Sequence, residues 1–435
     1  MQIPNLRFSY YGDDFTGSTD VLEAMASNGI PSVLFPCVPE GRHLVAFADC
    51  QAIGIAGESR SRDPQWMSEN LPEIFLFLKA LGARICLYKV CSTFDSSPKI
   101  GSIGRALEIG QDIFGGACVP IVVAAPHLQR YVLFGNLFAA AGQRIYRIDH
   151  HPTMRHHPIT PMTESDLRLH VAQQTHRGIG LLDVFSLRQP DIAEIYRRLS
   201  KEYRSLVFDG LDQQSLRCTG SLLDSLGRLS QQFVVGSSGA AYALIEHWRT
   251  LDMLSPQHTA PSAPSADRLL VLSGSCSPAT EKQIRWAMAN GFVCIAIDPH
   301  ALLEDTARTQ ENLLREAVRQ LAAGSSVVLY SALGPHDNSS IASRRDLSVE
   351  MGRLLRNTIQ QSRVRRIVVA GGDTSSHAVQ QLGLYAMRFL ASLEPGAPLC
   401  STYADDAAFH GLELVLKGGQ VGAASFFLNV LLGHA

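Results

Sequence analysis

Two acids stand side by side in Tyr11-Gly12-Asp13-Asp14-Phe15-Thr16-Gly17-Ser18-Thr19-Asp20. Paired carboxylates in a glycine-flanked turn can take a proton, hold a hydroxyl or ligate a metal. Asp, Ser and Thr are also good helix N-caps, so a plain cap is the competing explanation. A second polar stretch, Lys89-Val90-Cys91-Ser92-Thr93-Phe94-Asp95-Ser96-Ser97, holds a cation, a carboxylate and four hydroxyls. That inventory suits a small polyhydroxy acid, with Lys89 for its carboxylate and Ser92, Thr93, Asp95 and Ser96 for its hydroxyls. Arg60, in Gly57-Glu58-Ser59-Arg60-Ser61-Arg62, is a guanidinium able to grip a carboxylate through two parallel bonds. A hydrophilic loop and a solvated arginine are the plain alternatives for these two stretches.

A third set lies in the last 170 residues, where an apolar strand, a Gly/Ser turn and a helix recur three times. The turns are Ser273-Gly274-Ser275-Cys276-Ser277, Gly371-Gly372-Asp373-Thr374-Ser375-Ser376 and Lys417-Gly418-Gly419-Gln420-Val421-Gly422. Helix N-termini carry unpaired N–H groups and partial positive charge, and glycines admit phosphate oxygens close to the backbone. Three such turns predict a polyphosphate site, most simply for a nucleotide. Ser275, Thr374 and Ser375 add hydroxyl donors, and Asp373 could position Mg²⁺. Neither a P-loop nor a GxGxxG fingerprint is present, so number and chemistry carry this reading. His150, His151, His156 and His157 lack the spacing of a metal site, and no metal ligands are assigned. Cys91 lacks a placed base, so no nucleophilic role follows.

Alternating signals must position these loops. Strands are predicted at 6–11, 52–56, 85–90, 119–125, 180–184, 205–208 and 233–235. Further strands are expected at 269–272, 293–297, 327–330, 367–370 and 412–416, with helices between, among them 18–28, 64–80, 103–114, 190–203 and 213–229. Such alternation predicts an α/β protein with mostly parallel sheets flanked by helices. Residues 148–161 interrupt the rhythm as an irregular loop. At 435 residues two domains are expected, and a Pro/Ser/Ala-rich stretch places the division: 1–254, a linker at 255–267, and 268–435.

A net charge of -2 without a basic run argues against nucleic acid. No stretch approaches the roughly 20 apolar residues of a membrane span. Nine cysteines without a CxxC pair fit free thiols in a reducing cytoplasm.

These stretches resemble the four-carbon acid sugar kinase family. Asp13-Asp14-Phe15-Thr16-Gly17 is similar to its DDFTG motif. Cys91-Ser92-Thr93-Phe94-Asp95-Ser96 with Gly101-Ser102-Ile103-Gly104 resembles the CSTFDS…GNIG stretch of its 3-oxo-tetronate kinase branch. His157-Pro158-Ile159-Thr160-Pro161-Met162 resembles HPLTPM, Gly371-Gly372-Asp373-Thr374-Ser375 resembles GGETS, and Lys417-Gly418-Gly419-Gln420-Val421-Gly422 resembles KSGNFG.

The resemblance implies a sugar-acid domain followed by a nucleotide domain, closing on a cleft. It implies ATP-dependent phosphorylation of a terminal hydroxyl on a sugar acid of threonate, erythronate or 3-oxo-tetronate type. Asp13 or Asp14 would be the catalytic carboxylate, with Arg60 and residues 93–96 at the substrate. Ser275, Gly371, Gly372, Asp373, Thr374 and Gly419 would contact ATP, brought as its Mg²⁺ complex. Ser102 and Ile100 depart from the family pattern, which keeps a branched acid such as 3-oxo-isoapionate as an alternative substrate. An aldolase or isomerase using Lys89 as a Schiff base, and a sugar-acid sensor, are the rival readings. Homodimerisation is left open.

Overall fold

The computed structural model describes residues 3, 5–115, 118–254, 262–334 and 344–434, with the side chains of Arg344, Arg345 and Asp373 outside the description. Most of the Pro/Ser/Ala-rich linker stretch therefore lies outside the described residues. The chain forms two units. The first comprises residues 1–13, 24–32 and 40–257, the second 14–23, 33–39 and 258–435.

Seven parallel strands build the first unit, in the order Ala52–Ala56, Phe8–Gly12, Ile85–Lys89, Gln232–Gly236, Val119–Val122, Ser205–Phe208, Ile179–Leu182. The central strands are buried along their whole length. Helices cover both faces of such a sheet, which is why these strands read as unbroken apolar runs. Local signals fix the helices. Asp63 accepts from the Trp66 N–H and Pro64 opens the helix Pro64–Ala80. Ser102 caps Ile103–Phe114, and Gly115, at φ 65°, ends it. The departure of Ser102 from the family's Asn thus falls on a cap, where both residues serve.

A small antiparallel sheet, Arg130–Leu133, Asn136–Ala141 and Arg144–Arg147, precedes the stretch expected to be irregular. That stretch contains two short 3-10 turns, Ile148–His150 and Met154–His156. His151 holds it together, its Nδ1 accepting from the Thr153 and Met154 N–H groups.

In the second unit five parallel strands run in the order Val293–Ala296, Val327–Tyr330, Leu269–Ser273, Arg366–Ala370, Glu413–Lys417. An antiparallel pair, Leu399–Ala404 and Leu384–Ala391, extends them, and sequence patterning did not anticipate it. Its strands mix buried and partly exposed positions and offer no continuous apolar run. Leu269, Val271, Val328, Val368 and Val415 meet Phe426 and Phe427 in one cluster.

Arg366 fastens the C-terminus to this sheet. Its side chain is 1% exposed. Nε donates to Glu413 at 2.7 Å, Nη1 to the carbonyls of Val430 and Leu431, and Nη2 to that of Pro264. Replacing it removes the charged partner of Glu413 and the donor to the Pro264 carbonyl, and leaves the Val430 and Leu431 carbonyls with their backbone donors alone. Arg366→Met is expected to lower stability by about 3–4 kcal/mol, read as a fall in the urea midpoint at unchanged slope.

Candidate active site

Strand register decides which loops meet. Gly12 pairs with Ala56 on one side and Lys89 on the other. The segments that follow, Asp13, Gly57–Arg62 and Val90–Ser97, therefore leave the sheet together at its carboxyl end, where ligands bind in open α/β sheets. Backbone bonds lock them: Asp13 N to Lys89 O at 2.9 Å, Gly57 N to Gly12 O at 2.9 Å, and Arg60 N to Asp13 O at 3.0 Å.

Arg60 makes a two-bond contact with a carboxylate, and that carboxylate is Asp13. Nε donates to Oδ2 at 3.0 Å and Nη2 to Oδ1 at 2.7 Å. Arg60 is 26% exposed and Asp13 only 6%. One edge of the guanidinium is thus committed to Asp13.

The loop after Lys89 is braced by its own hydrogen bonds and is largely buried. Phe94 adopts φ 58°, a left-handed conformation that non-glycine residues seldom hold. Its N–H donates to Cys91 O at 3.0 Å, and its ring is fully buried, 6.1 Å from His170. Phe94 therefore shapes the loop, while Ser92 is half-buried and Lys89 is buried at the strand end. Thr93 Oγ1 donates to Asp95 Oδ1 at 2.5 Å, and Thr160 Oγ1 to Asp95 Oδ2 at 3.3 Å. Burial opposes the Asp95 charge, but Arg60, the Thr93 hydroxyl and His157 outweigh it and hold its pKa below the usual range. Ser96 Oγ lies 2.9 Å from His170 Nε2 and accepts from Gln174 Nε2 at 2.9 Å. Burial pulls His170 down to about 4, so its imidazole is neutral at physiological pH. Burial raises the Cys91 pKa, with Asp95 adding to it, which keeps the sulfur protonated.

Thr160, His170 and Gln174 are the residues that sequence reading did not single out. His157 Nδ1 accepts from the Thr160 N–H at 3.1 Å, so the His157-to-Met162 segment brings its threonine to Asp95. The segment was visible as a motif, but its spatial partner was not.

In the second unit Ser273 pairs with Ala370, and Ala370 with Lys417. All three Gly/Ser turns consequently sit at neighbouring strand ends. A Cβ on Gly274 would stand 2.1 Å from Thr374 Oγ1, and one on Gly419 would stand 2.7 Å from Ser275 Oγ. Gly371, at φ 116°, makes the reversal that starts the helix Gly372–Leu382 directly after its strand. With glycine at its cap position, that helix has no side-chain cap over its first N–H groups. The Asp373 side chain lies outside the described residues.

The first turn keeps the expected strand–turn–helix form, with a side-chain cap on its helix, and the third departs from it. The helix Pro278–Ala289 is already capped by Ser277. After Lys417 the next helix begins only at Phe426, so Gly419 lies in a loop and not at a helix N-terminus. Gln283 Nε2 holds that loop by donating to the carbonyls of Val421, Gly422 and Ala423, and strand patterning could not reveal such a tie. Gly274→Ala is expected to push the first two turns apart and to weaken ATP binding on the order of tenfold or more. Equilibrium titration with ATP checks this.

Asp14 belongs to the second unit. Its carboxylate accepts from Gly17 N at 2.6 Å and Thr16 Oγ1 at 2.9 Å, capping the helix Phe15–Ala26. That helix starts three residues before the expected position because the cap is Asp14. Asp14 Oδ2 also lies 3.7 Å from where a Cβ on Gly372 would be. The two acids thus part roles: Asp13 is tied to Arg60, and Asp14 faces the glycine turn.

A model of a sugar-binding N-terminal domain matches residues 8–244, and one of a nucleotide-binding C-terminal domain matches residues 270–427. The chain belongs to the four-carbon acid sugar kinase family. This kinase is 44% identical to a 3-oxo-isoapionate kinase of Paraburkholderia graminis, over 99% of its own length and 95% of the relative's. It is 29% identical to a 3-oxo-tetronate kinase of Pectobacterium atrosepticum, with 97% and 98% covered. A crystal structure from Salmonella typhimurium LT2, provisionally described as a tRNA synthase, superposes with a TM-score of 0.76 at 26% identity, with 98% of each chain covered. The kinase is an ATP-dependent sugar-acid kinase. That assignment displaces the aldolase, isomerase and sensor readings. No described helix is long and apolar enough to cross a membrane.

Proposed function

We propose that the kinase transfers the γ-phosphoryl group of ATP to a terminal hydroxyl of a branched 3-oxo sugar acid, 3-oxo-isoapionate or a close analogue. The observation that carries this is the contrast in likeness: 44% identity to a 3-oxo-isoapionate kinase against 29% to a 3-oxo-tetronate kinase, each over nearly the whole chain. A threonate, erythronate or 3-oxo-tetronate substrate becomes the second reading.

The acid binds residues of the 1–254 region and the nucleotide those of the 268–435 region. The guanidinium of Arg60 and the ammonium of Lys89 receive the acid's carboxylate. Ser92, Thr93, Asp95, Ser96 and Thr160 partner its hydroxyls and carbonyl. Ser275, Gly371, Gly372, Asp373, Thr374 and Gly419 receive the phosphates, chiefly through backbone N–H groups. Mg²⁺ travels with the nucleotide and neutralises phosphate charge. Among the described residues no group of three His, Cys, Asp or Glu side chains is placed to hold a metal by itself.

Asp14 is the base. As the substrate oxygen forms its bond to Pγ and the bond from Pγ to the bridging oxygen breaks, the hydroxyl proton passes to the Asp14 carboxylate. Asp13 keeps Arg60 oriented. The test is an ADP-release assay with 3-oxo-isoapionate and the 3-oxo forms of threonate and erythronate. A higher kcat/KM for the branched acid is expected, and a preference for an unbranched one overturns the substrate assignment.

A further inference from the structure

Lys417 is a buried cation for which the phosphoryl-transfer reading has no use so far. It ends the strand Glu413–Lys417 and has no exposed surface. Burying an ammonium costs several kcal/mol unless its hydrogens find acceptors. Here Nζ donates to Gly418 O at 2.9 Å, Thr280 Oγ1 at 3.1 Å and Gly419 O at 3.4 Å. Thr280 Oγ1 donates in turn to Gly419 O at 2.9 Å.

The turn's orientation follows from these bonds. In a trans peptide the N–H points opposite to the carbonyl of the preceding residue. With the carbonyls of Gly418 and Gly419 drawn inward, the N–H groups of Gly419 and Gln420 must point away from the ammonium. Neither N–H has an acceptor among the described residues. Gln283 collects the carbonyls of Val421, Gly422 and Ala423 from the same inner side. The loop therefore turns its acceptors toward the protein and its donors outward, beside Ser275 Oγ at Gly419.

We infer that Lys417 is a positioning residue for the nucleotide: it clamps the Gly418–Gly419 turn so that the N–H groups of Gly419 and Gln420 face a phosphate, and its charge lies directly behind them. The inference rests on the ATP site proposed above. It concerns nucleotide affinity alone and is independent of which acid is phosphorylated.

A pH signature accompanies the clamp. Burial draws the Lys417 pKa down to about 7, and Glu394, the charged group facing it, acts in the opposite direction. Thr280 and the Phe426 ring complete its surroundings. Phosphate favours the ammonium form, so nucleotide affinity falls as pH rises through this range.

The experiment is equilibrium titration of the full chain with ATP, without acid, at about pH 6 and about pH 8.5. Comparison of wild type with Lys417→Met cancels the titration of ATP itself. Lys417→Met is expected to raise the Kd for ATP on the order of tenfold at the lower pH and to show a flatter pH dependence than wild type. In turnover its KM for ATP should rise while the KM for the acid stays put. An unchanged Kd, or a pH dependence equal to wild type in a folded variant, overturns the inference. Should Lys417→Met fail to fold, Gln283→Met tests the same inward clamp, and an unchanged ATP affinity there overturns it. If the wild type itself bound no ATP, the nucleotide-site reading would fall with it. If it bound ATP and ignored every acid, only the substrate assignment would fall.

Discussion

Asp14→Asn is expected to lower kcat roughly 10²–10⁴-fold while leaving ATP affinity and the fold intact. The substitution removes the carboxylate's charge and its proton-accepting capacity while keeping the side chain's shape. Asparagine caps helices about as well as aspartate, and its carbonyl oxygen can still accept from the Gly17 N–H that Asp14 holds at 2.6 Å. The Thr16 hydroxyl, now 2.9 Å from the second oxygen, can turn to accept from the new amide. A coupled ADP-release assay gives kcat, and thermal unfolding checks the helix Phe15–Ala26. Retained turnover would move the base elsewhere. Asp13→Asn should behave differently, because it breaks an ion pair: its loss should appear in stability and in the KM for the acid as well as in kcat.

Arg60→Met is the second large effect. It strands the Asp13 carboxylate, 6% exposed, without its guanidinium. Removing one partner of a mostly buried pair costs about 2–3 kcal/mol once the partial exposure of Arg60 is allowed for. Asp95 changes too. Arg60 is the strongest of the influences that hold its pKa down against burial. A carboxylate with a depressed folded-state pKa adds stability above its unfolded pKa and loses it as pH falls through the folded value. Without Arg60, burial prevails, the Asp95 pKa rises and that contribution shrinks. The acid limb of the stability profile should therefore move to higher pH in Arg60→Met. Urea unfolding across the acidic range measures it. With the carboxylate grip lost, kcat/KM for the acid should fall about 10³-fold, with ATP affinity unchanged. The double variant Arg60→Met with Asp13→Asn should recover part of the stability and none of the activity.

Much of the candidate site was legible without coordinates because its chemistry is local. Phosphate-binding turns need glycine and short hydroxyl side chains, and a strand–turn–helix unit spells them consecutively. The Lys89-to-Ser97 loop likewise advertises its donors and acceptors in one run. What stayed hidden depends on distant segments. Thr160 reaches Asp95 across 65 residues, and Gln174 reaches Ser96 across 78. A threonine and a glutamine carry no signal of such partners. Lys417 read as the first residue of a glycine turn, and only its burial beneath two glycine carbonyls distinguishes it from a surface lysine. The antiparallel pair Leu384–Ala391 and Leu399–Ala404 escaped because its burial pattern gives no continuous apolar run.

By itself the amino-acid order determined the α/β class, the two-part organisation and the stock of groups that can bind an acid and a polyphosphate. Periodicity and turn chemistry are properties of neighbouring residues, so they survive in one dimension. Tertiary structure decided which groups meet. Parallel register set Ser273, Ala370 and Lys417 level and thereby gathered three separate turns. It tied Asp13 to Arg60 and set Asp14 beside Gly372. Adjacent residues of one type acquired different work because a strand ends at Gly12 and a helix begins at Phe15, so the two side chains leave the backbone toward different partners.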